Sequence, residues 1–375
     1  MLRLRRKHTV NYPLQLLEKD KAEQIENGEE IQRVLTTKTT LNDLIYKAQS
    51  IEDKCSDFVT SGDVLKMEVG CDGKESNPKP NLVFSAYDNE VLSTYKGKLT
   101  DFSLGQLCTK VGVPTSYVNR CIRSGEYGLS MDNVNTWLSK EKQNPLLVRM
   151  YGDKIRGLLS SRYQRFDTSK ILSMLNSAFS SYAIKGYYLD EERFHLRAVL
   201  PRKLNVEGED LYAGLQVDSS DVGRSSLTIM FFVFKQVCTN GLCVSHGGGV
   251  LFSQKHIGIE QSEFNGAVVS AFDKIPDLAK SIEGVIQASR ETPILRSGKS
   301  EEQFITDMVK SIHDSTKMSE TDAKKVVEVM QNKYGETNWG LINSITEVAQ
   351  EFTLERRIEL EKIAGNMLFA RKLIA

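Results

Sequence analysis

Net charge is missing: 49 basic residues are balanced by 49 acidic ones in a chain of 375. Attraction to a polyanion therefore cannot come from the global balance and has to come from local clustering. Cysteine is scarce. Cys55, Cys71, Cys108, Cys121, Cys238 and Cys243 are spread too thinly for a disulfide framework, which fits a reducing compartment better than secretion. Long apolar runs are also lacking. The longest, Leu227–Val244 (LTIMFFVFKQVCTNGLCV), is too short for a membrane span and is broken by Lys235 and Gln236. The opening MLRLRRKHTVNYPLQLL is basic but has no continuous apolar segment of the kind a signal peptide carries. The expected location is a cytoplasm, with no membrane partner.

Catalytic motifs are absent as well. There is no phosphate-binding G-x-x-x-x-G-K-[ST], no H-E-x-x-H and no G-x-G-x-x-G after a strand. His246-Gly247-Gly248-Gly249 looks like the oxyanion loop of lipases, but that loop works with a G-x-S-x-G elbow, and none occurs. Cys238, Cys243, His246 and His256 have the right donor atoms for zinc at spacings that match no usual zinc site. The expectation is a protein that is not an enzyme and uses no metal or cofactor.

What is present reads as an α+β chain, with a mostly antiparallel sheet core of about six to seven strands. Residues 1–39 form a basic and polar arm. Residues 40–143 form a small α/β segment, beginning with a helix capped by Thr40 whose apolar stripe is Leu41, Leu44, Ile45, Ala48, Ile51, Cys55 and Phe58. Strands are expected at Val64–Val69 and Asn81–Ala86. Phe102–Ile122 resembles a helix-turn-helix: Gly112-Val113 makes the turn, Pro114 opens the second helix, and Thr115, Ser116, Asn119, Arg120 and Arg123 would face a groove. No third helix of a trihelical core is evident.

Residues 144–252 carry the sheet core. LLVRMYGDKIRGLLSSRY folds back at Gly152-Asp153, which would pair Met150 with Ile155, Arg149 with Arg156 and Val148 with Gly157. Arg149, Tyr151, Lys154 and Arg156 would then share one face. Two arginines directly opposite each other need an anionic neighbour, either a carboxylate within the fold or a phosphate outside it. From Leu146 to Asn205 there are eleven basic residues against five acidic ones, interleaved with Tyr151, Tyr163, Phe166, Tyr182, Tyr187, Tyr188 and Phe194. A helix capped by Asp167 or Thr168 follows, then strands at Ile184–Leu189, Phe194–Leu200 and Leu211–Val217. In RFHLRAVL the alternation sets Phe194, Leu196, Ala198 and Leu200 against Arg193, His195 and Arg197. Leu227–Val244 reads as a buried strand entering a two-residue turn at Asn240-Gly241, with Cys238 opposite Cys243. Residues 253–375 are expected to be all helical.

LLVRMYGDKIRGLLSSRYQRFDTSKIL (Leu146–Leu172), GLQVDSSDVGRSSLTIMFFVFKQVCTNGLC (Gly214–Cys243) and NWGLINSITEVAQEF (Asn338–Phe352) together resemble the phage- and plasmid-borne domain-of-unknown-function family numbered 932. LCTKVGVPTSYVNRC is similar to that family's upstream helical block, so the likeness covers roughly residues 100–370. The resemblance implies a mobile-element context in a bacterial host and no established activity. It also implies a layout like that of the sheet-plus-helix single-strand annealing proteins of phages.

A basic sheet face with aromatic rings suits single strands, because cations neutralise phosphates while bases stack without regard to sequence. The expected function is binding of single-stranded nucleic acid, DNA in preference, to anneal or protect it. Arg149, Tyr151, Lys154, Arg156, Arg162, Tyr163, Arg165, Arg193 and Arg197 would form the site. The rivals are a protein that grips a host defence or replication protein through its C-terminal helices, and a duplex-DNA regulator using residues 102–123. A homo-oligomer is compatible with each.

Overall fold

The computed structural model describes residues 38–70, 78–88, 90–141, 145–178, 182–235, 240–244, 249–255, 266 and 269–369. Most of the expected N-terminal arm, together with Cys238, His246 and His256, lies outside them. The fold is α+β, with two mostly antiparallel sheets and a helical C-terminal region.

Helix α1, Leu41–Glu52, begins at a capping box in which Thr40 and Asp43 satisfy each other's backbone N–H groups. Leu41, Leu44 and Ala48 are buried. Cys55 and Phe58 continue the helical spacing but lie in strand β1, Cys55–Thr60, which pairs along its whole length with β5. That pairing outweighs local periodicity.

The first sheet has the order β1-β5-β6-β4-β3-β2. Its other members are β2 (Lys66–Val69), β3 (Pro80–Asp88), β4 (Val91–Leu99), β5 (Leu146–Tyr151) and β6 (Lys154–Ser160). All pairs are antiparallel except the short parallel contact of β4 with β6. Three helices pack on one face: α2 (Asp101–Val111), α3 (Thr115–Arg123) and α4 (Tyr127–Leu138). Gly112 ends α2 in the left-handed conformation and Pro114 precedes α3, as the sequence indicated. Helix α4 is the third helix that the sequence reading missed. Ser130, Val134 and Leu138 bury its inner face, a stripe spaced by four and too polar to stand out.

The hairpin at Gly152-Asp153 forms, with Tyr151 paired to Lys154 and Met150 to Ile155. Past that point a bulge places Arg149 opposite Gly157 and Val148 opposite Leu158, leaving Arg156 as the extra residue. The expected pairing of Arg149 with Arg156 is thereby corrected. The shift brings Leu158 into the core beside Val148, Met150 and Ile155. Strands β5 and β6 belong to this first sheet, whereas the sequence reading joined them to the strands that follow.

The second sheet has the order β11-β10-β9-β8-β7, with β12 paired to β10. Its strands are β7 (Ala183–Leu189), β8 (Phe194–Leu204), β9 (Leu211–Ser219), β10 (Leu227–Lys235), β11 (Asn240–Val244) and β12 (Val250–Gln254). Between the two sheets in sequence lies α5, Thr168–Ala178. Leu196, Leu215, Val217, Ile229, Phe231 and Val233 face the main core. The C-terminal helices α6 (Ile275–Glu291), α7 (Glu301–Thr316), α8 (Glu320–Val329), α9 (Asn338–Val348) and α10 (Leu354–Met367) complete it.

The apolar strand β10 is central, but its return differs from expectation. Lys235 pairs with Asn240, Val233 with Leu242 and Phe232 with Cys243. Asn240 and Gly241 are therefore strand residues, and Cys243 stands opposite Phe232. Burial of Leu242 beside Val233 on the core face decides the register, because a slip of one residue would turn Leu242 outward. No helix among the described residues is long and apolar enough to cross a membrane.

Candidate functional site

The residues expected to form one exposed basic face are distributed over three environments. Arg149 and Arg156 are buried, at 3% and 2% exposure, in the junction between the two sheets. Arg149 donates two hydrogen bonds to Asp57 and a third to the Asp221 carbonyl. Arg156 donates to the Glu191 carbonyl and has its Nη1 3.7 Å from the Asp221 carboxylate. Tyr163 is buried as well, with its hydroxyl donating to the Ser220 carbonyl at 2.8 Å. Burial, reinforced by the Asp221 charge, pushes its phenol well above the ordinary range. The two arginines thus find their anionic neighbours in carboxylates and carbonyls inside the fold.

Arg197 is also buried, under α10. It donates to Gln216 at 3.0 Å and to Glu361, and its guanidinium lies 4.8 Å from the Phe232 ring centroid. Arg193 pairs with Glu355 of the same helix and lies over the Tyr188 ring. The alternation in RFHLRAVL was read correctly, since Phe194 and Leu196 enter the core while His195 and Arg197 take the other face. The error was in treating that face as open: α10 brings carboxylates down onto it.

Lys154 and Arg162 are exposed, and among the described residues neither forms an ion pair. Arg165 is exposed but reaches back to Asp57 at 3.0 Å. Tyr151 is half-buried.

Arg162 belongs to an open groove of about 1120 Å³ between α2–α3 and strands β5–β6. Lys110 from α2 and Arg224 from the loop after β9 join it there, with Phe102 and Thr115. Arg224 lies 4.8 Å from the Phe102 ring centroid and is bridged to Glu192 at 2.8 Å. The acidic residue on the wall, Asp101, is bridged to Lys79. Gln106 ties the floor together, donating to the Val222 carbonyl and accepting from the Leu158 N–H. Lys110, Arg224 and Phe102 were not picked out in sequence. Phe102 and Lys110 lie on α2 and Arg224 on the loop after β9, and only the packing of α2 against β6 brings them to one trough.

A second polar centre occupies the covered face of the second sheet. His195 Nδ1 lies 2.7 Å from Asp218 Oδ1, and Gln216 donates to the other oxygen at 2.8 Å. Burial raises the Asp218 carboxyl, but His195, Lys362 and Gln216 outweigh it and hold the group below its usual value.

No curated protein and no solved structure matches the chain. A family model matches residues 156–367, a span that takes in the second sheet and the C-terminal helices and leaves out α2–α4 and most of the first sheet. Because that span is more than half of the sequence, the chain belongs to the family described as domain of unknown function (DUF932).

Proposed function

We propose that this protein binds single-stranded nucleic acid along the groove between α2–α3 and β5–β6, without reading its sequence. The observation that carries the reading is the groove's lining, where Lys110 and Arg162 share a trough with Arg224, itself over the Phe102 ring, and the wall acid Asp101 is already bridged. Cations so placed hold phosphates, and a ring at the wall stacks a base irrespective of its identity. A part in phage or plasmid DNA metabolism, annealing or protecting exposed strands, fits such a surface. The site differs from the one expected from sequence, keeping Arg162 and giving up the buried Arg149, Arg156, Tyr163 and Arg197.

Fluorescence anisotropy with a labelled oligothymidine, titrated at increasing salt, tests it. Two phosphate contacts on a single strand, by Lys110 and Arg162, give a slope of log K against log salt of about −1.4, Arg224 being bridged to Glu192. No binding, or affinity indifferent to salt, overturns the reading.

One observation favours a second reading. Helix α4 completes a three-helix unit, and α3 leaves Ser116, Asn119, Arg120 and Arg123 exposed. Duplex DNA read in its major groove by α3 would use those side chains. Selection from random duplexes decides it: an enriched sequence supports this second reading, and an unselected pool leaves the single-strand groove.

A further inference from the structure

A transverse row of side chains crosses the second sheet on the face that carries Arg197. Tyr188 stands across from His195, His195 across from Asp218, Asp218 across from Thr228, and Thr228 across from Ser253. Direct cross-strand partners share a face. The whole row lines one cavity of about 570 Å³, roofed by Glu355, Ile358 and Lys362 of α10. That volume falls in the range of about 300–1,000 Å³ used by small-molecule sites.

The chemistry of the lining is specific. The Asp218 carboxylate can only accept, so Nδ1 of His195 carries a proton, and Nε2 is the ring nitrogen left for another partner. Among the described residues, Nε2 is buried with no hydrogen-bond partner, and so is Nε of Arg193 on the same lining. Buried polar atoms left without a partner cost free energy, and a bound ligand supplies what they lack. Apart from His195, the charges on the lining balance: Arg193 and Lys362 oppose Asp218 and Glu355. A balanced wall gives no net attraction to an anion or a cation. Hydroxyls of Ser225, Ser226, Thr228 and Ser253 add further polar groups, and the Tyr188 ring, one face of which Arg193 covers, adds an apolar patch.

We propose that this cavity binds a small, uncharged, polyhydroxylated molecule, a sugar or a nucleoside, with a ligand hydroxyl hydrogen-bonded to Nε2 of His195. Mixed donors and acceptors at neutral net charge match hydroxyl groups, which both give and receive hydrogen bonds. The aromatic patch matches the apolar face of a sugar ring or a base. The site shares no lining residue with the groove of the proposed nucleic-acid reading, so either can fail alone.

Isothermal titration of the full chain with ribose, glucose, uridine and adenosine, and with the 5′-phosphates of the two nucleosides, tests the proposal. At least one neutral compound is expected to bind with a Kd below about 1 mM. His195→Gln and Thr228→Val are each expected to weaken that binding about tenfold or more while leaving the unfolding midpoint in place. Preference for the nucleosides over the free sugars identifies the ring patch as a base platform, and equal binding identifies a sugar site. The proposal is overturned if no neutral compound reaches that affinity, if only the phosphorylated compounds bind, or if neither substitution changes binding. Should His195→Gln fail to fold, Thr228→Val and Ser253→Ala carry the same readout.

Discussion

Asp57 stands directly across from Arg149 in the first sheet, and the two side chains meet in a two-pronged pair, Nε to Oδ1 at 2.9 Å and Nη2 to Oδ2 at 3.2 Å. Both groups are almost fully removed from solvent. The pair joins β1 to β5 at the point where the second sheet's loops close over the first, since Arg149 also donates to the Asp221 carbonyl. An arginine that the sequence offered as a phosphate ligand is thus a fastening inside the fold.

Removing one half of that fastening strands the other. Asp57→Ala leaves the Arg149 guanidinium buried without its carboxylate and is expected to destabilise the protein by about 3–5 kcal/mol. Replacing both, Asp57→Leu with Arg149→Met, is expected to cost far less, because no buried charge is left unpaired. Urea unfolding of the single and double variants measures the difference. A single variant within about 1 kcal/mol of the parent would contradict the assignment.

Asp221 makes the same junction sensitive to pH. Burial pushes its carboxyl up to about 6, against the lowering influence of Arg149 and Arg156. Between the ordinary carboxylate range near 4 and that value, the folded chain holds a proton that the unfolded chain has released. Its contribution to stability is therefore fully present below pH 4, declines as pH rises towards 6, and is flat above. Asp221→Asn, which imitates the protonated acid, should gain on the parent by roughly 3 kcal/mol over that window. The comparison is urea midpoints of both proteins from pH 4 to 7. Parallel curves would show that Asp221 does not titrate in this range. Asp218, held below its usual value, acts with the opposite sign and in a more acidic window.

Much of the local structure was legible in sequence because it is set by neighbours in the chain. Thr40 with Asp43, Gly112 before Pro114, and Gly152-Asp153 each state their own geometry. Partners remote in sequence were not legible. The need of Arg149 and Arg156 for anions could be read from their expected pairing, but Asp57 and Asp221 lie 92 and 72 residues from Arg149. The same holds for Arg197 and Glu361, separated by 164 residues and brought together only when α10 crosses the sheet. At Asn240-Gly241 the turn preference was real, but burial of Leu242 against the core outweighed it.

The groove reading makes a separable prediction. Lys110→Ala, half-buried on the groove wall, and Arg162→Ala, exposed, are expected to leave stability within about 1 and 0.5 kcal/mol of the parent respectively. Each should reduce the salt slope of single-strand binding by about 0.7. The double change of Arg149 and Arg156 to Ala is expected to prevent folding instead, since both are buried. Anisotropy and circular dichroism on the same preparations distinguish the two classes. If the surface variants bind with the parental slope, the groove is not where phosphates sit.

Gly340 tests how α9 is seated. It lies in the first turn of that helix, where its N–H donates to Thr337 Oγ1 at 3.0 Å. A Cβ at this position would fall 2.0 Å from the Gly335 carbonyl oxygen and 3.1 Å from that of Tyr334. Both obstacles are backbone, and Gly335 itself is held at a φ of 82°. Neither obstacle can swing aside as a side-chain tip would. Relief requires α9 to move away, which pulls Trp339 from Glu209 and Asn343 from Lys235. Gly340→Ala is accordingly expected to cost more than about 3 kcal/mol, although alanine is the better helix former by about 1 kcal/mol. Gly284, exposed in α6, has no atom within 4 Å of the same added carbon and serves as the control. There the propensity term acts alone, and Gly284→Ala should raise stability by up to about 1 kcal/mol. Thermal unfolding of the two variants side by side reads both signs. A Gly340→Ala protein as stable as the parent would mean that α9 does not rest on the Gly335 turn.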